Sequence, residues 1–441
     1  MMLLRARLVL PVSRPPIEDG AVVVSEGRIK AVGRYQDLVS RAGKDVTDLG
    51  EVVLMPGLVN AHCHLDYTDL AGQFPQPRVF SDWLKQITTA KAQWDYSEYA
   101  QSWLKGARML VRTGTTTVGD IEAVPELLPE VWDSTPLRVI SMLELIGITG
   151  RREPAEIVRE ALGRIKALKH PRCRVGLSPH APYSTLPELL RLSAKAARHG
   201  RIPVSTHIAE SALEYEMFVR GRGAMFEWLK LTRRDMSDCG LGTPVQHAAR
   251  HGLLEENLMA IHANYLGRGD TQLLARKKVS VVHCPRSHAY FRHEPFPLKR
   301  LLAAGVNVCL GSDSLASVVQ ARRRPVELSM FEEMREMARC NPSLAPRRIV
   351  EMASVNSARA LGMAAKVGEL APGVFADMIA LPMHGRTRNV YEFIVYYSGN
   401  ILASMIDGQW VLSSSTWSPS SPSPAPSTSK QKSRRRTAPR I

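Results

Sequence analysis

The stretch LMPGLVNAHCHLDYTDLAG, residues 54–72, places two histidines one residue apart at the end of an apolar run. Because residues i and i+2 of a β-strand point to the same side, His62 and His64 would present both imidazoles to one face. Two imidazoles at that spacing can bind a single metal ion, although two structural histidines would show the same pattern. Cys63 lies between them and would point the other way, which suits a packing role.

Further groups that can bind a metal follow other apolar runs of the chain. His207 ends the run IPVSTH, and Asp313 follows the run VNVCLGS. Together with His62 and His64 they supply three nitrogens and one carboxylate oxygen. This set suits zinc, or iron or manganese as alternatives, with one position left open for water. Three more such runs end in His180, His262 and His283.

The run RCRVGLSPHAPYST, which contains His180, has neither a lysine nor an acidic residue. Two-metal hydrolases of barrel architecture need a bridging ligand at the end of the fourth strand, often a carboxylated lysine. We therefore expect a single divalent ion. His262 would then be available to orient a water molecule or the substrate, or to transfer a proton.

Glu210 lies three residues after His207, in the motif THIAES. If the chain turns into a helix there, the i to i+3 spacing would bring both side chains into the same cavity. A carboxylate beside a metal site can take a proton from water and deliver it to a substrate nitrogen. The alternative is a solvated glutamate at a helix start, where the helix dipole favours negative charge.

The elements that must position these residues are short apolar runs separated by helical patterns. Eight runs follow one another along the chain, namely VVLMPGLVNAHCH, TTTVGDI, LRVISMLELIG, CRVGLSPHAP, IPVSTHIAE, NLMAIHANYL, VSVVHCPRSH and VNVCLGSDS. Eight strands alternating with helices predict an α/β fold with a parallel (β/α)8 barrel of the TIM type. In such a barrel the carboxyl ends of the strands meet on one face, so the histidines, Glu210 and Asp313 would converge there. An open doubly wound sheet is the runner-up, but no glycine-rich phosphate loop follows any run.

Strand-like patterns at both ends of the chain predict a second, smaller domain. RARLVLPV and GAVVVSEGRIKAVG precede the barrel, and VGELAPGVFADMIALP and NILASMIDGQWVLSS follow it. We expect residues 1–55 and 364–412 to form a composite β-sandwich, and residues 56–363 to form the metal-dependent barrel. Residues 413–441 are rich in serine and proline and are expected to be a disordered basic tail.

Composition is that of an ordinary globular protein. Of the 441 residues, 44% are hydrophobic and 23% are charged, and no stretch approaches the ~18 apolar residues of a membrane span. The net charge of +16 falls to +10 without the six basic residues of the tail. We do not expect KQKSRRR in that tail to bind RNA or anionic lipid measurably, so the expected partner is a small-molecule substrate and not a nucleic acid. The six cysteines are dispersed and form no CxxC pair, which favours a protein of the reducing cytoplasm. Barrel proteins of this size often form dimers, so a homodimer is a possible assembly.

Taken in order, six motifs resemble those of the amidohydrolase superfamily, in its branch of cytosine-deaminase-like and chlorohydrolase-like (ATZ/TRZ) enzymes. They are PGLVNAHCHLDYTDLAG, GLSPHAPYST, THIAES, IHANYL, HCPRSH and LGSDSLAS, and the resemblance covers residues 2–412. It implies four metal ligands, which are His62, His64, His207 and Asp313. It also implies catalytic roles for Glu210 in proton transfer and for His262 and Asp313 in orienting the water. It implies a place for His180 in the substrate pocket.

The function that this resemblance implies is metal-assisted hydrolysis. We expect a hydrolytic deaminase of an amino-purine-type nucleoside or a related aminated heterocycle, in which Glu210 protonates a ring nitrogen during attack by water. The alternative is hydrolysis of a cyclic amide or imide, or removal of chloride from a triazine. A non-catalytic metal-binding scaffold is disfavoured by the intact ligand set together with Glu210.

The loop CPRSHAYF departs from the CPxSN that relatives often carry, because His288 stands in place of asparagine. Arg286 and His288 would lie at the rim of the pocket, where a guanidinium group suits a substrate carboxylate. Aminodeoxyfutalosine, a carboxylate-bearing adenine nucleoside, fits this hypothesis. The alternative is a surface arginine that pairs with Glu294.

Overall fold

The computed structural model describes residues 1–41, 45–320, 326–385 and 387–413. The strands in chain order are β1 (Met2–Val9), β2 (Ile17–Ser25), β3 (Arg28–Arg34), β4 (Val46–Asp48), β5 (Val52–Pro56), β6 (Leu58–Cys63), β7 (Thr115–Glu122), β8 (Arg138–Leu145), β9 (Arg174–Pro179), β10 (Val204–Ile208), β11 (Leu258–His262), β12 (Ser280–His283), β13 (Asn307–Leu310), β14 (Met378–Pro382), β15 (Ala403–Ile406) and β16 (Gln409–Ser413).

Helices separate most of these strands. In chain order they are α1 (Tyr35–Leu38), α2 (Phe80–Lys91), α3 (Tyr96–Arg112), α4 (Leu128–Asp133), α5 (Pro154–Ala167), α6 (Pro187–Gly200), α7 (Ala212–Arg220), α8 (Ala224–Leu231), α9 (Pro244–Arg250), α10 (Asp270–Arg276), α11 (Pro285–Tyr290), α12 (Leu298–Ala303), α13 (Met330–Cys340), α14 (Pro346–Met352), α15 (Val355–Ala360) and α16 (Val390–Val395). Short 3₁₀ helices occupy Val39–Arg41, Leu65–Leu70, Pro125–Leu127 and Leu315–Ser317. Among the helices of the described residues, none combines the length and the apolar character needed to span a membrane.

Strands β6 to β13 form the barrel that the sequence predicts. Each is paired with the next one in chain order, and a parallel bridge between Cys63 of β6 and Asp313, just after β13, closes the barrel. Strand alternation sorts the side chains, as β8 illustrates. Ile140 and Met142 belong to the apolar cluster inside the barrel, whereas Val139 belongs to the cluster between the barrel and the helices. The predicted (β/α)8 fold is confirmed.

The two ends of the chain form a second sheet with the strand order β16-β15-β14-β5-β1-β2-β3, in which β4 also pairs with β1. Strand β5 connects its two halves, because it pairs in parallel with β1 and antiparallel with β14. Apolar residues from both termini share one core, among them Leu4, Leu54, Val374 and Met405. The small sandwich predicted from both termini is therefore present. The predicted tail lies, from residue 414 onwards, outside the described residues.

The first predicted strand is in fact two strands that belong to different sheets. Gly57 separates β5 in the terminal sheet from β6 in the barrel, and its N–H group donates to the carbonyl oxygen of Asp377 at 3.0 Å. A Cβ atom on Gly57 would lie 2.1 Å from Oγ1 of Thr116. Glycine is required here because the chain passes so close to β7. Periodicity does not mark this break, since residues 52–59 contain no polar side chain.

A buried ion pair joins the barrel to the terminal sheet. Arg138 begins β8, is 2% exposed, and donates from Nε and Nη2 to the Asp377 carboxylate at 2.5 and 3.2 Å. Nη2 also donates to Asp407 at 2.7 Å, and the guanidinium group lies 3.6 Å from the centre of the Phe375 ring. Burial raises the pKa of Asp377, and the charge and hydrogen bonds of Arg138 oppose that rise.

Replacing Arg138 by methionine should lower the free energy of unfolding by about 3–5 kcal/mol, because Asp377 would stay buried without its counter-ion. Denaturant titration of the full chain measures this loss. The matched control is Arg152→Met, which breaks a surface pair with Glu160 in which both side chains are 57% exposed. We expect no measurable change in that control. Equal stability of Arg138→Met and the parent protein would show that the pair does not hold the two sheets together.

Candidate metal centre and active site

The bridge that closes the barrel also brings three potential ligands together. The main-chain N–H groups of Ser312 and Asp313 donate to the carbonyl oxygen of His62 at 2.9 and 3.1 Å. Across this seam, Nε2 of His62 and Nε2 of His64 each lie 3.7 Å from Oδ1 of Asp313. Gly311 permits the close approach, since a Cβ atom there would lie 2.9 Å from the His62 carbonyl oxygen.

A β-bulge turns the end of β6 toward this group. The register of β6 with β7 shifts between Asn60 and Cys63, and bulges beside active sites commonly re-aim side chains. The rings of His62 and His64 have centroids 5.0 Å apart, whereas Cys63 packs into the apolar cluster outside the barrel. This is the arrangement that the spacing of the two histidines predicts.

His207, from β10, completes a group of three imidazoles. Its Nε2 lies 3.4 Å from Nε2 of His64, and one ring nitrogen from each of His62, His64 and His207 lies within 4.8 Å of the others. Nδ1 of His207 lies 3.0 Å from the carbonyl oxygen of His180. That carbonyl makes Nδ1 the N–H donor and leaves the lone pair of Nε2 directed at the group.

The donor set fits a divalent metal ion. Burial lowers the pKa of His64 and of His207 well below the ordinary value, so both rings are neutral at pH 7, as metal ligands must be. Within the described residues, neither ring nitrogen of His62 has a hydrogen-bond partner, although both are buried. Coordination of a metal ion by one of these nitrogens would give a partner to a buried polar atom that otherwise lacks one. Three imidazoles and the Asp313 carboxylate are ligands typical of zinc and other divalent first-row metals.

Asp313 is held in place by two serine hydroxyl groups. Its Oδ2 accepts hydrogen bonds from Ser287 at 2.6 Å and from Ser317 at 3.0 Å, which leaves Oδ1 for the histidines. Its φ of 54° lies in the left-handed region, a strained conformation for a residue with a side chain. Burial raises its pKa, but the contact with Nε2 of His62, 3.7 Å away, and the electrostatic effect of the surrounding histidines outweigh burial and hold the pKa well below its ordinary value.

Glu210 and His262 form a second polar pair beside the imidazoles. Oε1 of Glu210 lies 3.5 Å from Nε2 of His262, and the His262 ring stacks on that of His207 with centroids 5.5 Å apart. Burial raises the pKa of Glu210 well above its ordinary value, and the charges of Asp313 and Glu214 add to the rise. Glu210 therefore holds a proton more tightly than an exposed glutamate does.

A turn, and not the expected helix, positions Glu210. Strand β10 ends two residues before it and α7 begins two residues after it, so the helical i to i+3 spacing does not apply. Ala209 has a φ of 52°. The buried carboxylate of Glu214 accepts the N–H groups of Ala209 and Glu210 at 3.1 and 2.8 Å. These two hydrogen bonds stabilise the turn that directs Glu210 at His262.

A cavity of about 320 Å³ lies beside these groups. Besides residues of the metal centre, Glu210 and His262, its walls are formed by polar and apolar side chains that include His180, Glu144, Lys91, Trp83, Ile87, Ile146, Ile148 and Trp228. Cavities of this size with a mainly apolar wall and a few polar groups are typical of small-molecule sites.

His180 is a polar group of the wall that the sequence predicts, whereas Glu144 and Lys91 are polar groups of the wall that it does not predict. Nδ1 of His180 lies 2.6 Å from the hydroxyl oxygen of Ser184, and its Nε2 lies 3.8 Å from Oε1 of Glu144. Burial lowers the pKa of His180 to about 3, so the ring is neutral at pH 7. Glu144 is a single carboxylate in a strand and Lys91 is the last residue of α2, so no spacing in the sequence marks either one.

Arg286 and His288 do not line this cavity, contrary to the hypothesis from the sequence. Nε of Arg286 donates to Glu333 at 2.5 Å, and the side chain of Glu333 is fully buried. A buried carboxylate needs a counter-charge, which draws the guanidinium group away from the cavity. The alternative pair with Glu294 is not formed within the part of the chain that the structure describes. Nδ1 of His288 lies 3.1 Å from Oδ1 of Asn264.

Comparisons with known proteins agree with this fold. A 5-methylthioadenosine/S-adenosylhomocysteine deaminase from Syntrophobacter fumaroxidans is 32% identical over 425 residues, which are 90% of this chain and 88% of that protein. The crystal structure of an adenosine deaminase from Xanthomonas campestris with bound zinc has a TM-score of 0.82 at 26% identity and covers 93% of both chains. Atrazine chlorohydrolase TrzN from Arthrobacter aurescens TC1, complexed with zinc, shares the fold, with a TM-score of 0.80 at 19% identity over 94% of this chain and 95% of that chain. Residues 53–411 match the amidohydrolase family, and since this match spans the barrel and the strands that flank it, the chain belongs to that family.

Proposed function

We propose that this protein is a zinc-dependent hydrolytic deaminase that acts on an adenosine-type nucleoside. The observation that carries the proposal is the position of the Glu210 carboxyl group, 3.5 Å from Nε2 of His262 and on the wall of the same cavity as His64, His207 and Asp313. This arrangement supplies a proton donor beside a site for a hydrolytic metal ion. The deaminase names of the relatives support the same reaction class.

His62, His64, His207 and Asp313 would hold the zinc ion, which when bound would lower the pKa of water to about 7 and so supply a nucleophile at neutral pH. Glu210 gives its proton to the ring nitrogen next to the carbon that bears the amino group, which makes that carbon more electrophilic. His262 orients the attacking water through Nε2, and the ionised Asp313 accepts its proton. That proton is passed to the amino group, which leaves as ammonia while the new hydroxyl group becomes a carbonyl group, and the hydroxyl proton returns to Glu210.

The cavity supports a flat heterocycle with an uncharged substituent. Trp83, Ile87 and Trp228 supply apolar surface for the faces of a ring, and His180 supplies a neutral imidazole. The hypothesis that Arg286 selects a carboxylate, as in aminodeoxyfutalosine, has no support from its position beside Glu333. Adenosine and methylthioadenosine are therefore the first substrates to test, with aminodeoxyfutalosine kept in the panel.

The zinc-loaded protein should release ammonia from at least one adenosine-type substrate, and Glu210→Gln should lower kcat by about 10²- to 10⁴-fold because an amide cannot donate the required proton. Zinc content should not change. The matched control is Glu188→Gln, which alters a surface pair with Arg191 on α6 and should keep the parent rate. A normal rate in Glu210→Gln would exclude this residue as the proton donor. If no amine substrate reacts, the reaction class is wrong, and cyclic amides and a chlorotriazine become the next panel.

One zinc ion per chain is expected, and His207→Ala should lose most of it, because the remaining ligands cannot surround the ion. Metal analysis after dialysis, combined with thermal unfolding with and without added zinc, measures both effects. Zinc at a hundred-fold excess over its Kd should stabilise the parent by about 2.7 kcal/mol, and the variant by much less. His199→Ala, an exposed histidine on α6, is the control and should behave as the parent does. Two tightly bound ions per parent chain would contradict the single-metal assignment.

Arg286→Met should destabilise the fold without changing the KM for substrate, because Glu333 would lose its counter-ion inside the protein. Burial raises the pKa of Glu333 to about 7 even with Arg286 present. A carboxyl group with a raised folded-state pKa is least costly when it is protonated, so the variant should lose stability progressively as the pH rises above about 5. Urea titrations at several pH values measure this trend. A raised KM at unchanged stability would instead return Arg286 to the substrate site.

A further inference from the structure

We propose that His288 is a positioning residue for Glu210, and that it acts through the side-chain amide of Asn264. The inference deepens the proposed function and depends on it for the role of Glu210. His288 is the last residue of the sequence CPRSH, and it does not line the cavity. A contribution of His288 to the reaction must therefore be indirect.

A continuous set of contacts leads from His288 to the active site. Nδ1 of His288 lies 3.1 Å from Oδ1 of Asn264. Nδ2 of Asn264 donates to the main-chain carbonyl oxygen of Glu210 at 2.9 Å. The Glu210 carboxyl group in turn lies 3.5 Å from Nε2 of His262. His288 thus reaches the proton-transfer pair through one buried amide.

The amide of Asn264 needs a donor on its oxygen side to keep this orientation. Oδ1 can only accept a hydrogen bond, so Nδ1 of His288 must carry the proton in this contact. Burial lowers the pKa of His288 to about 4, although a hydrogen bond with the Glu294 main chain raises it, so the ring is neutral at pH 7 and has one N–H group. The contact with Oδ1 of Asn264 favours Nδ1 as the position of that proton. Without that N–H group, the amide could rotate by half a turn and direct its oxygen at the Glu210 carbonyl, which would replace an attraction by a repulsion.

Asn264 is placed where two strained turns meet. Ala209, before Glu210, has a φ of 52°, and His262 and Ala263 have φ values of 70° and 48°. Such conformations persist only where surrounding contacts hold them. Glu214 holds the N–H side of the Glu210 turn at 2.8 Å, and Asn264 holds its carbonyl side. Removing one of the two contacts should let the Glu210 carboxyl group move relative to His262.

Helix α11 gives His288 a rigid base for this role. Ser287, its neighbour on the helix, donates to Oδ2 of Asp313 at 2.6 Å, and Arg286 anchors the same helix to the buried Glu333. The His288 ring packs beside those of other residues, with centroid distances of 5.1 Å to His283, 5.4 Å to His293 and 6.4 Å to Phe296. Helix α11 therefore contacts the Asp313 carboxylate directly through Ser287, and it contacts the main chain of Glu210 through His288 and Asn264.

The test compares His288→Leu with His288→Asn in the full-length, zinc-loaded protein. The two new side chains have similar size and shape, but only asparagine places an N–H donor near the position of Nδ1. We expect His288→Leu to lower kcat by about 10- to 100-fold with KM within about twofold of the parent, since small misplacements of reacting groups have effects of this size. His288→Asn should restore most of kcat. Zinc content should equal that of the parent in both variants.

Two comparisons separate this inference from simpler explanations. His293→Leu changes a neighbouring buried histidine of the same ring cluster and should alter stability without altering kcat. Glu210→Gln, assayed in parallel, tests the proposed function itself. If Glu210→Gln is inactive while His288→Leu and His288→Asn have equal kcat values, the positioning role is wrong and the proposed function stands. Full activity of Glu210→Gln would instead reject the proton-donor role on which this inference depends, whereas a parent protein that deaminates no amine substrate would reject the proposed function.

Crystal structures of the two zinc-loaded variants provide a readout that does not need a substrate. The distance between Glu210 Oε1 and His262 Nε2 should stay near 3.5 Å in His288→Asn and should lengthen in His288→Leu. The Asn264 amide should also be rotated in His288→Leu. An unchanged position of both Asn264 and Glu210 in His288→Leu would overturn the inference.

Discussion

Closure of the barrel between β6 and β13 is the constraint on which the metal centre depends. The same main-chain hydrogen bonds that close the barrel hold His62 next to Asp313. Two candidate ligands that are about 250 residues apart in the sequence therefore lie side by side. Asn60 reinforces this seam, since its Nδ2 donates to the Ser312 hydroxyl group at 2.7 Å and its Oδ1 accepts the Ser312 N–H at 3.1 Å. Because closure is part of the fold, the donor atoms are held in place by the scaffold itself, as an efficient metal site requires.

Burial at this seam has opposite consequences for the two kinds of titratable group. It lowers the pKa of His207 and of His262, which keeps the imidazoles neutral, and it raises the pKa of Glu210, which keeps its carboxyl group protonated. Asp313 is equally buried, but its contacts with the histidines reverse the effect and hold its pKa low. The pKa values of two carboxyl groups in one site thereby shift in opposite directions, which fits the proposed roles of Asp313 as a metal ligand and of Glu210 as the proton donor.

The sequence predicts the parts of this site that follow from periodicity and misses the parts that depend on distant contacts. Alternation of eight apolar runs with helices is enough for the barrel, and the ends of those runs mark His207 and Asp313. The sequence offers a helix as one way to bring Glu210 beside His207, but a turn positions it in the structure, and the geometry of that turn depends on the left-handed Ala209 and on a buried carboxylate. The position of Arg286 was mistaken for a similar reason. Its partner Glu333 lies far along the chain, on α13, and no local pattern shows that this carboxylate is buried.

The candidate metal ligands and Glu210, the proposed proton donor, are held in place by different kinds of structure. Strands and barrel closure hold His62 and Asp313, whereas polar contacts between loops hold Glu210 in a turn whose strained residues cost about 1–3 kcal/mol each. Part of the cavity wall comes from other elements, such as Lys91 on α2 and Trp228 on α8, which lie outside the barrel strands. A substitution in α2 or α8 can therefore reshape the space for a substrate while the ligand distances stay as they are. Proteins with this barrel can therefore share a metal centre and still differ in the molecule that they hydrolyse, because helices outside the barrel form part of the wall that contacts the substrate.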